Sequence, residues 1–328
     1  MQKKVSVITP FFQRHAGLLR KAIESVAAQK DVDAKVEVIV VDDGSPITAE
    51  SEVAGLALPP NVVVNIVKQT NAGCYPACNV ALNHVGEDSD YIAFLDSDDV
   101  WFESHLGNAI WALERGYDFY FSDFYQLNQT VSAFRRGGRI QIADHKKLER
   151  SSLYEFSASM FDQVLKGNVL GTSTIVYSRA KLGALRYLED FRHTGAEYIL
   201  WLNMAARSGR IAFSMEPEVR YGGGVNIFSE AAWGTDKFLT VRQDEMKYRK
   251  YILSHFAVSA DQRQHLKKMI QESRFNFCLG LIHNLLHNGK VASKILAQQL
   301  RTDPWTVATL VLTPLILGTR RLRASAKT

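Results

Sequence analysis

The sequence predicts an α/β protein, with a mostly parallel central sheet flanked by helices and a helical C-terminal extension. Three observations carry this. Over the first hundred residues, short β-branched runs alternate with apolar residues at helical spacing, the pattern of strand–helix–strand units with right-handed crossovers. Two of the runs, Val36–Val41 and Tyr91–Leu95, end abruptly in aspartates. From about Phe238 onward the chain reads as nearly all helix.

Val5-Ser6-Val7-Ile8-Thr9 reads as a buried strand ended by Pro10, which has no N–H to donate. A helix follows over Leu18–Gln29, where Leu18, Leu19, Ala22, Ile23, Val26 and Ala27 share a face. Val36–Val41 is the second strand, closed by Asp42-Asp43-Gly44-Ser45, and Val62–Lys68 the third. Asn71-Ala72-Gly73 is a turn, Pro76–Val85 a helix and Tyr91–Leu95 a strand. Phe119–Ser122 is strand-like and leads to Asp123. Arg135–Arg150 holds six Arg or Lys against two acids, which reads as an exposed, mobile segment, with a phosphate or lipid contact as the second reading. Thr172–Tyr177 is another β-rich run, and a helix starts near Thr194 with Glu197 in its first turn, where a carboxylate gains from the helix dipole.

The chemistry concentrates at the strand ends. Asp96-Ser97-Asp98-Asp99 puts three carboxylates into four residues, and in an open parallel sheet ligands sit beyond the carboxyl ends of the strands. Like charges that close repel unless a cation holds them. Hard oxygen ligands suit Mg²⁺ or Mn²⁺, which commonly bring diphosphate oxygens as further ligands. The plainer alternative is a solvated turn that caps the following helix. Asp42-Asp43, at the end of another strand, would point to the same rim.

The rest of the composition mostly excludes. The 328 residues are 46% hydrophobic, ample for a core, and the net charge of +5 is modest. Cys74, Cys78 and Cys278 neither make a disulfide framework nor have zinc-finger spacing, which favours a reducing cytoplasm. Met1-Gln2-Lys3-Lys4 runs into the first strand without a secretory-leader pattern. No Gly-rich dinucleotide fingerprint or P-loop occurs. Near the C-terminus, Trp305–Leu317 is apolar, contains Pro314 and precedes Arg320, Arg321 and Arg323. It is shorter than the ~20 residues that span a bilayer. It suits a helix lying on an anionic membrane surface, or one packing on its own domain or a dimer partner.

The Val5–Thr9 strand with Pro10, Val41-Asp42-Asp43-Gly44-Ser45, Asn71-x-Gly73, Ala77-x-Asn79 and Leu95-Asp96-Ser97-Asp98-Asp99 occur in that order. Together they resemble the family 2 glycosyltransferases of the GT-A fold, over roughly residues 5–228, and most of all bacterial exopolysaccharide enzymes of the succinoglycan glucosyltransferase type. Gly195-Ala196-Glu197-Tyr198-x-Leu200-Trp201-Leu202 resembles that family's acidic motif on a helix. The resemblance implies an inverting transfer of a sugar, glucose above all, from a UDP-sugar to a saccharide or lipid-linked oligosaccharide acceptor, with Mn²⁺ or Mg²⁺. Thr9 and Pro10 would flank the base, Asp43 would accept from a uracil N–H with Asp42 nearby, and Asn71, Gly73 and Asn79 would complete the nucleotide-sugar site. Asp96 and Asp98 would form the Asp-x-Asp motif, with the metal on Asp98 and Asp99. Glu197 would be the catalytic base.

Two positions depart from the family pattern. Ala196 stands where an acid is usual, and Cys78 where an Arg is frequent. Restoring a glutamate at 196 is expected to be tolerated. The expected organisation is a catalytic domain over residues 1–230 and a helical region over 231–328, membrane-associating or oligomerising as a homodimer. The expected location is cytoplasmic, peripheral on the inner membrane face, with no nucleic-acid partner. A sugar nucleotidyltransferase and a degenerate transferase acting as a membrane-surface scaffold are the competing readings.

Overall fold

The computed structural model describes residues 2–150, 152–191, 193–225, 231–288 and 293–313. The chain divides into two units, Met1–Glu189 with Glu197–Asn226, and Asp190–Ala196 with Ile227–Thr328.

The elements in chain order are β1 (Lys3–Phe11), α1 (Leu18–Ala27), β2 (Ala34–Asp42), α2 (Ala49–Val53), β3 (Val62–Lys68), α3 (Cys74–Asn83), β4 (Tyr91–Phe94), β5 (Val100–Trp101), α4 (His105–Glu114), β6 (Phe119–Tyr125) and α5 (Ala133–Gly137). Then come β7 (Lys146–Lys147), β8 (Leu153–Glu155), α6 (Met160–Gly167), β9 (Val176–Ser178), α7 (Arg179–Leu182), α8 (Ala196–Arg207), β10 (Ile211–Arg220), α9 (Asp236–His255), α10 (Ala260–Asn288) and α11 (Ser293–Thr302).

In the first unit, the described strands form one sheet in the order β3-β2-β1-β4-β9-β6-β10-β8-β7, with β5 also on β10. The long pairings β3–β2–β1–β4 and β6–β10 are parallel; β9 runs antiparallel between β4 and β6. The chain winds from β1 outward through β2 to β3, then returns to pair β4 on the other side of β1. That reversal opens a crevice beyond the carboxyl ends of β1 and β4. The register sets Phe11 beside Asp42 and Ile8 beside Phe94, so both aspartate clusters flank the end of β1.

β1 does not stop at Pro10, as expected from its missing N–H, but runs to Phe11. Only Val5–Ile8 pair with β4, so at Pro10 β2 is the sole neighbour and the absent donor faces no partner strand. The helix expected from Pro76 begins two residues earlier, at Cys74. Pro76 lies in its first turn, where backbone N–H groups have no intrahelical acceptor to lose. The Thr172–Tyr177 run is a 3₁₀ turn, Thr172–Thr174, before the short β9. Hydroxyls divert it: Thr174 Oγ1 donates back to the Gly171 carbonyl at 2.7 Å, and Ser173 Oγ points away to Asp99. Residues 135–150 are largely exposed, with the end of α5, a 3₁₀ turn and β7 among them.

The second unit is helical. Leu239, Met246, Ile270, Phe277, Cys278 and Leu281 make its core, against which Ile295, Leu296 and Leu310 pack. Residues 305–313 are helical. Thr306 and Thr313 face inward, whereas Trp305 is 72% exposed and Val311 and Leu312 are also exposed. The tail therefore packs one face on its own unit and shows an apolar face to solvent. Leu315, Ile316, Leu317, Arg320, Arg321 and Arg323 lie outside the described residues. Among the described residues no helix is long and apolar enough to cross a membrane.

Candidate active site

The turn after β4 crowds Asp96, Asp98 and Asp99, and the protein ties two of them down. Asp99 is buried; its Oδ2 accepts from Ser173 Oγ at 2.6 Å and its Oδ1 from the Gly222 N–H at 2.9 Å. Asp98 Oδ2 accepts from the Gly224 N–H at 2.7 Å. Gln13 joins the same loop, accepting from the Val225 N–H at 3.1 Å and donating to Ser97 Oγ at 3.1 Å. Residues 222–225 thus fold back over the cluster. Gly222 is required there, since a Cβ on it would sit 1.7 Å from the Asp98 carbonyl oxygen.

Burial dominates the electrostatics. It pushes Asp96 up to about 7, with help from the charges of Asp98 and Glu197. It raises Asp98 as well, against the opposing Gly224 N–H. Asp99 is held well above the usual carboxylate range by burial and by Asp96 and Asp98, in spite of Ser173 and Gly222. These groups resist ionising together, which is the state a cation relieves.

The donor set fits a hard divalent ion held in part by its substrate. Asp96 and Asp98 keep carboxylate oxygens that no described side chain engages, while both Asp99 oxygens receive protein donors. Among the described residues no three His, Cys, Asp or Glu side chains could enclose an ion by themselves. One or two carboxylates completed by diphosphate oxygens and water is the ordinary Mg²⁺ arrangement.

Glu197 comes to this rim from α8. Tyr75, in the first turn of α3, donates its hydroxyl to Glu197 Oε2 at 2.5 Å. Tyr75 stacks on Tyr187 with centroids 5.4 Å apart, and Tyr187 meets Phe94 of β4 edge-on at 5.8 Å. Burial and the Glu197 charge hold the Tyr75 phenol well above its ordinary value, so it stays a donor. Asn79 fixes the far side of this stack: its amide donates to the Tyr187 carbonyl and to Glu189 Oε1, and its oxygen accepts from the Tyr187 N–H. Ala196, beside the glutamate, is fully buried.

The Asp42–Asp43 rim is equally built. Asp42 accepts from the N–H groups of Ser45 and Ala49. Asp43 Oδ1 accepts from Gln69 Nε2 and the Ala72 N–H, and its Oδ2 from the Gly73 N–H at 2.9 Å. Gly73 adopts φ +104°, open to glycine, and N-caps α3. Asn71 donates to the Asp43 carbonyl. Thr9 is buried, and its Oγ1 has no hydrogen-bond partner among the described residues. Cys78, at the position of the family's frequent Arg, is buried; a hydrogen bond with Cys74, burial and the nearby Asp96 charge keep its thiol well above its usual range and so neutral, where a guanidinium would carry positive charge.

Sequence reasoning therefore found the carboxylates but not Gln13, Tyr75, Ser173 and Tyr187, which hold them. Tyr75 had one signal, its place in the first turn after Gly73. Ser173 had none.

An α/β sheet with acidic strand ends around a switch point, faced by a carboxylate on a separate helix, is an arrangement in keeping with a transferase of the α/β class. The family model for "Glycosyl transferase family 2" matches residues 6–182, and the chain belongs to that family. The succinoglycan biosynthesis protein ExoW of Rhizobium meliloti is 31% identical over 244 residues, 72% of this chain and 74% of ExoW. Among solved structures, S. aureus TarS 1–349 in complex with UDP-GlcNAc superposes with a TM-score of 0.59 at 17% identity, covering 94% of this chain and 89% of that one. The mannosyltransferase PcManGT from Pyrobaculum calidifontis, in complex with GDP-Man and Mn²⁺, gives 0.54 at 17% identity, covering 96% and 87%. These last two establish the GT-A fold.

Proposed function

We propose that this glycosyltransferase moves a sugar from a UDP-sugar to a saccharide acceptor by a single inverting displacement that depends on a divalent ion, in the assembly of an exopolysaccharide. Glucose is the first donor sugar to test and a lipid-linked oligosaccharide the first acceptor. The observation that carries the reading is the convergence of Asp96 and Asp98 at the end of β4 with Glu197 on α8, the glutamate aimed by Tyr75. TarS with UDP-GlcNAc, PcManGT with GDP-Man and Mn²⁺, and the likeness to ExoW support the donor class and the pathway class.

Asp98 is the residue assigned to the metal, and Asp99 anchors the 222–225 loop that holds Asp98 in place. Mn²⁺ or Mg²⁺, when bound, neutralises charge on the leaving diphosphate. Asp96 takes a sugar or ribose hydroxyl. Thr9, Pro10 and Asp43 line the base, with Asn71 and Gly73 shaping the turn that Asp43 braces and Asp42 securing the loop beside it. Asn79 acts through Tyr187 and is a positioning residue. An acceptor hydroxyl gives its proton to Glu197 as its oxygen bonds to the anomeric carbon; the bond from that carbon to UDP breaks, and UDP leaves with the electron pair. A base so placed contributes about 10²–10⁴-fold. One carboxylate suffices, since inversion needs no enzyme nucleophile.

The test is incubation with UDP-glucose, Mn²⁺ and a saccharide panel, reading free UDP and the anomeric configuration of the product by NMR. UDP release with an inverted linkage is expected. Pyrophosphate chemistry, a retained linkage, or turnover unaffected by a chelator would each overturn the corresponding part.

A further inference from the structure

Beside the carboxylates, in the first unit, lies a cavity of about 440 Å³, within the ~300–1,000 Å³ of small-molecule sites. Phe124, Phe134, Tyr198 and Tyr221 line it, and Arg136 and Arg139 stand exposed at its edge. Tyr198 follows Glu197 in the chain, and Tyr221 precedes Gly222, the residue that holds Asp99. The acids reach the cavity electrostatically as well: after burial, the charges of Asp99 and Asp96 are what raise the Tyr221 phenol. None of the residues assigned to the nucleotide lines it.

The geometry points to this cavity as the acceptor site, and to an acceptor saccharide that carries an anionic group, phosphate or carboxylate, next to the sugar that is extended. The inference rests on Glu197 as the base, since the cavity must present a hydroxyl to it. Aromatic rings offer the apolar platform on which the C–H face of a pyranose buries its surface; Phe124 and Tyr221 are already stacked, with centroids 4.6 Å apart. The two guanidiniums supply the charge. No carboxylate lines the cavity, and among the described residues neither arginine is in an ion pair. Each donates to one neutral acceptor instead, Arg136 to Gln126 Oε1 and Arg139 to the Asn168 carbonyl at 3.0 Å. Each guanidinium has five N–H donors in a planar fork, a geometry that matches phosphate or carboxylate two bonds at a time. Arg139 is also held in place: a Cβ on Gly167 would come within 3.1 Å of its Cδ. A basic rim serving only solubility would need no such seating.

Binding of glucose 1-phosphate, glucuronic acid and neutral methyl β-glucoside to the full chain, each with UDP and Mn²⁺ saturating, tests this. Both anionic probes are expected to bind at least about tenfold tighter than the neutral one, about one bidentate charge-assisted contact. The Arg136→Gln/Arg139→Gln double variant should erase that preference, and Tyr198→Ala should weaken all three probes. Farnesyl phosphate in detergent, an anion without a sugar, separates the sources: binding by it that also requires both arginines assigns the anion to a lipid headgroup, and its failure beside glucose 1-phosphate assigns it to the glycan. Equal binding of charged and neutral sugars, or a preference that survives the double variant, overturns the proposal. Should the double variant fail to fold, Arg136→Lys/Arg139→Lys, which keeps charge but loses the fork, must still reduce the preference. UDP affinity, measured alone, reports separately on the donor reading.

Discussion

Tyr75 and Glu197 lie 122 positions apart and share a 2.5 Å hydrogen bond, the phenol donating to the carboxylate. Helix α8 brings the glutamate, and α3 brings the residue that aims it. Tyr75→Phe keeps the stack on Tyr187 and removes only the donor. It is expected to lower kcat about tenfold with KM and thermal stability nearly unchanged, the mark of an interaction that matters in the transition state. Glu197→Gln should cost about 10²–10⁴-fold. A Tyr75→Phe enzyme as fast as wild type in steady-state kinetics would remove the phenol from the mechanism.

The buried aspartates predict a pH dependence that the metal should cancel. Burial, Asp98 and Glu197 put Asp96 at about 7, against ~3.9 for an aspartate in an unfolded chain. The folded state then prefers the protonated form, so its stability is fullest below the unfolded value and is lost as pH rises from about 4 through about 7. Without divalent ion the Tm should fall between pH ~5 and ~7.5, and Mn²⁺ should restore more of it at the upper pH than at the lower. Asp96→Asn should make the fall shallower in scanning fluorimetry, the remainder belonging to the raised Asp98 and Asp99; a wild-type Tm level across that range contradicts the account.

Gly222→Ala places a methyl group against the Asp98 carbonyl, and backbone cannot yield as a flexible side chain does. A stability loss of about 1–3 kcal/mol is expected, as for other forced overpacking. The more telling readout is Mn²⁺-dependent UDP binding, which should weaken because the loop that orients Asp98 and Asp99 has moved. Calorimetric titration with and without Mn²⁺ distinguishes the two effects.

Ala196→Glu, expected from the family pattern to be tolerated, now carries the opposite prediction. The alanine is fully buried, so a carboxylate there loses its water next to Glu197. We expect about 1–3 kcal/mol of destabilisation by chemical denaturation, the cost of a buried polar group without a partner, and no gain in rate.

At the tail, truncation before Pro304 would strip Thr306, Leu310 and Thr313 from the core of the second unit, so point changes are the cleaner probe. Replacing the exposed Trp305, Val311 and Leu312 by serine should change stability by no more than about 0.5 kcal/mol per substitution, as at other surface sites. The same variant should lose sedimentation with anionic liposomes if this face meets a membrane. Unchanged sedimentation assigns the face another role.

The carboxylate cluster of the candidate site was legible because its signal is local: an apolar run that stops at Asp96 needs only its neighbours to be read. What holds them was not, because it comes from afar. Ser173 sits in a run that reads as strand and turns out to be a 3₁₀ turn. Gln13 reaches a loop 212 positions later. β10 itself was not expected; it carries Pro217, which the strand tolerates through irregularities in its pairing with β6 on either side of that residue. The helices of the second unit, by contrast, were visible in the local sequence without tertiary help.

The Gly222–Val225 loop has a temporal consequence. Its bonds to Gln13, Asp98 and Asp99 span more than 120 positions, so they can close only after β10 has been synthesised and docked. A ribosome-bound chain ending at Arg220 would already carry every acid of the cluster and the Ser173 bond to Asp99, yet none of the loop bonds that hold Asp98 and the second oxygen of Asp99. Loop closure over such distances is slow and comes late. Under the function proposed above, the enzyme should therefore acquire its binding of metal and nucleotide as one of the last events of its folding, and a nascent or partly unfolded molecule should not trap a donor that it cannot use.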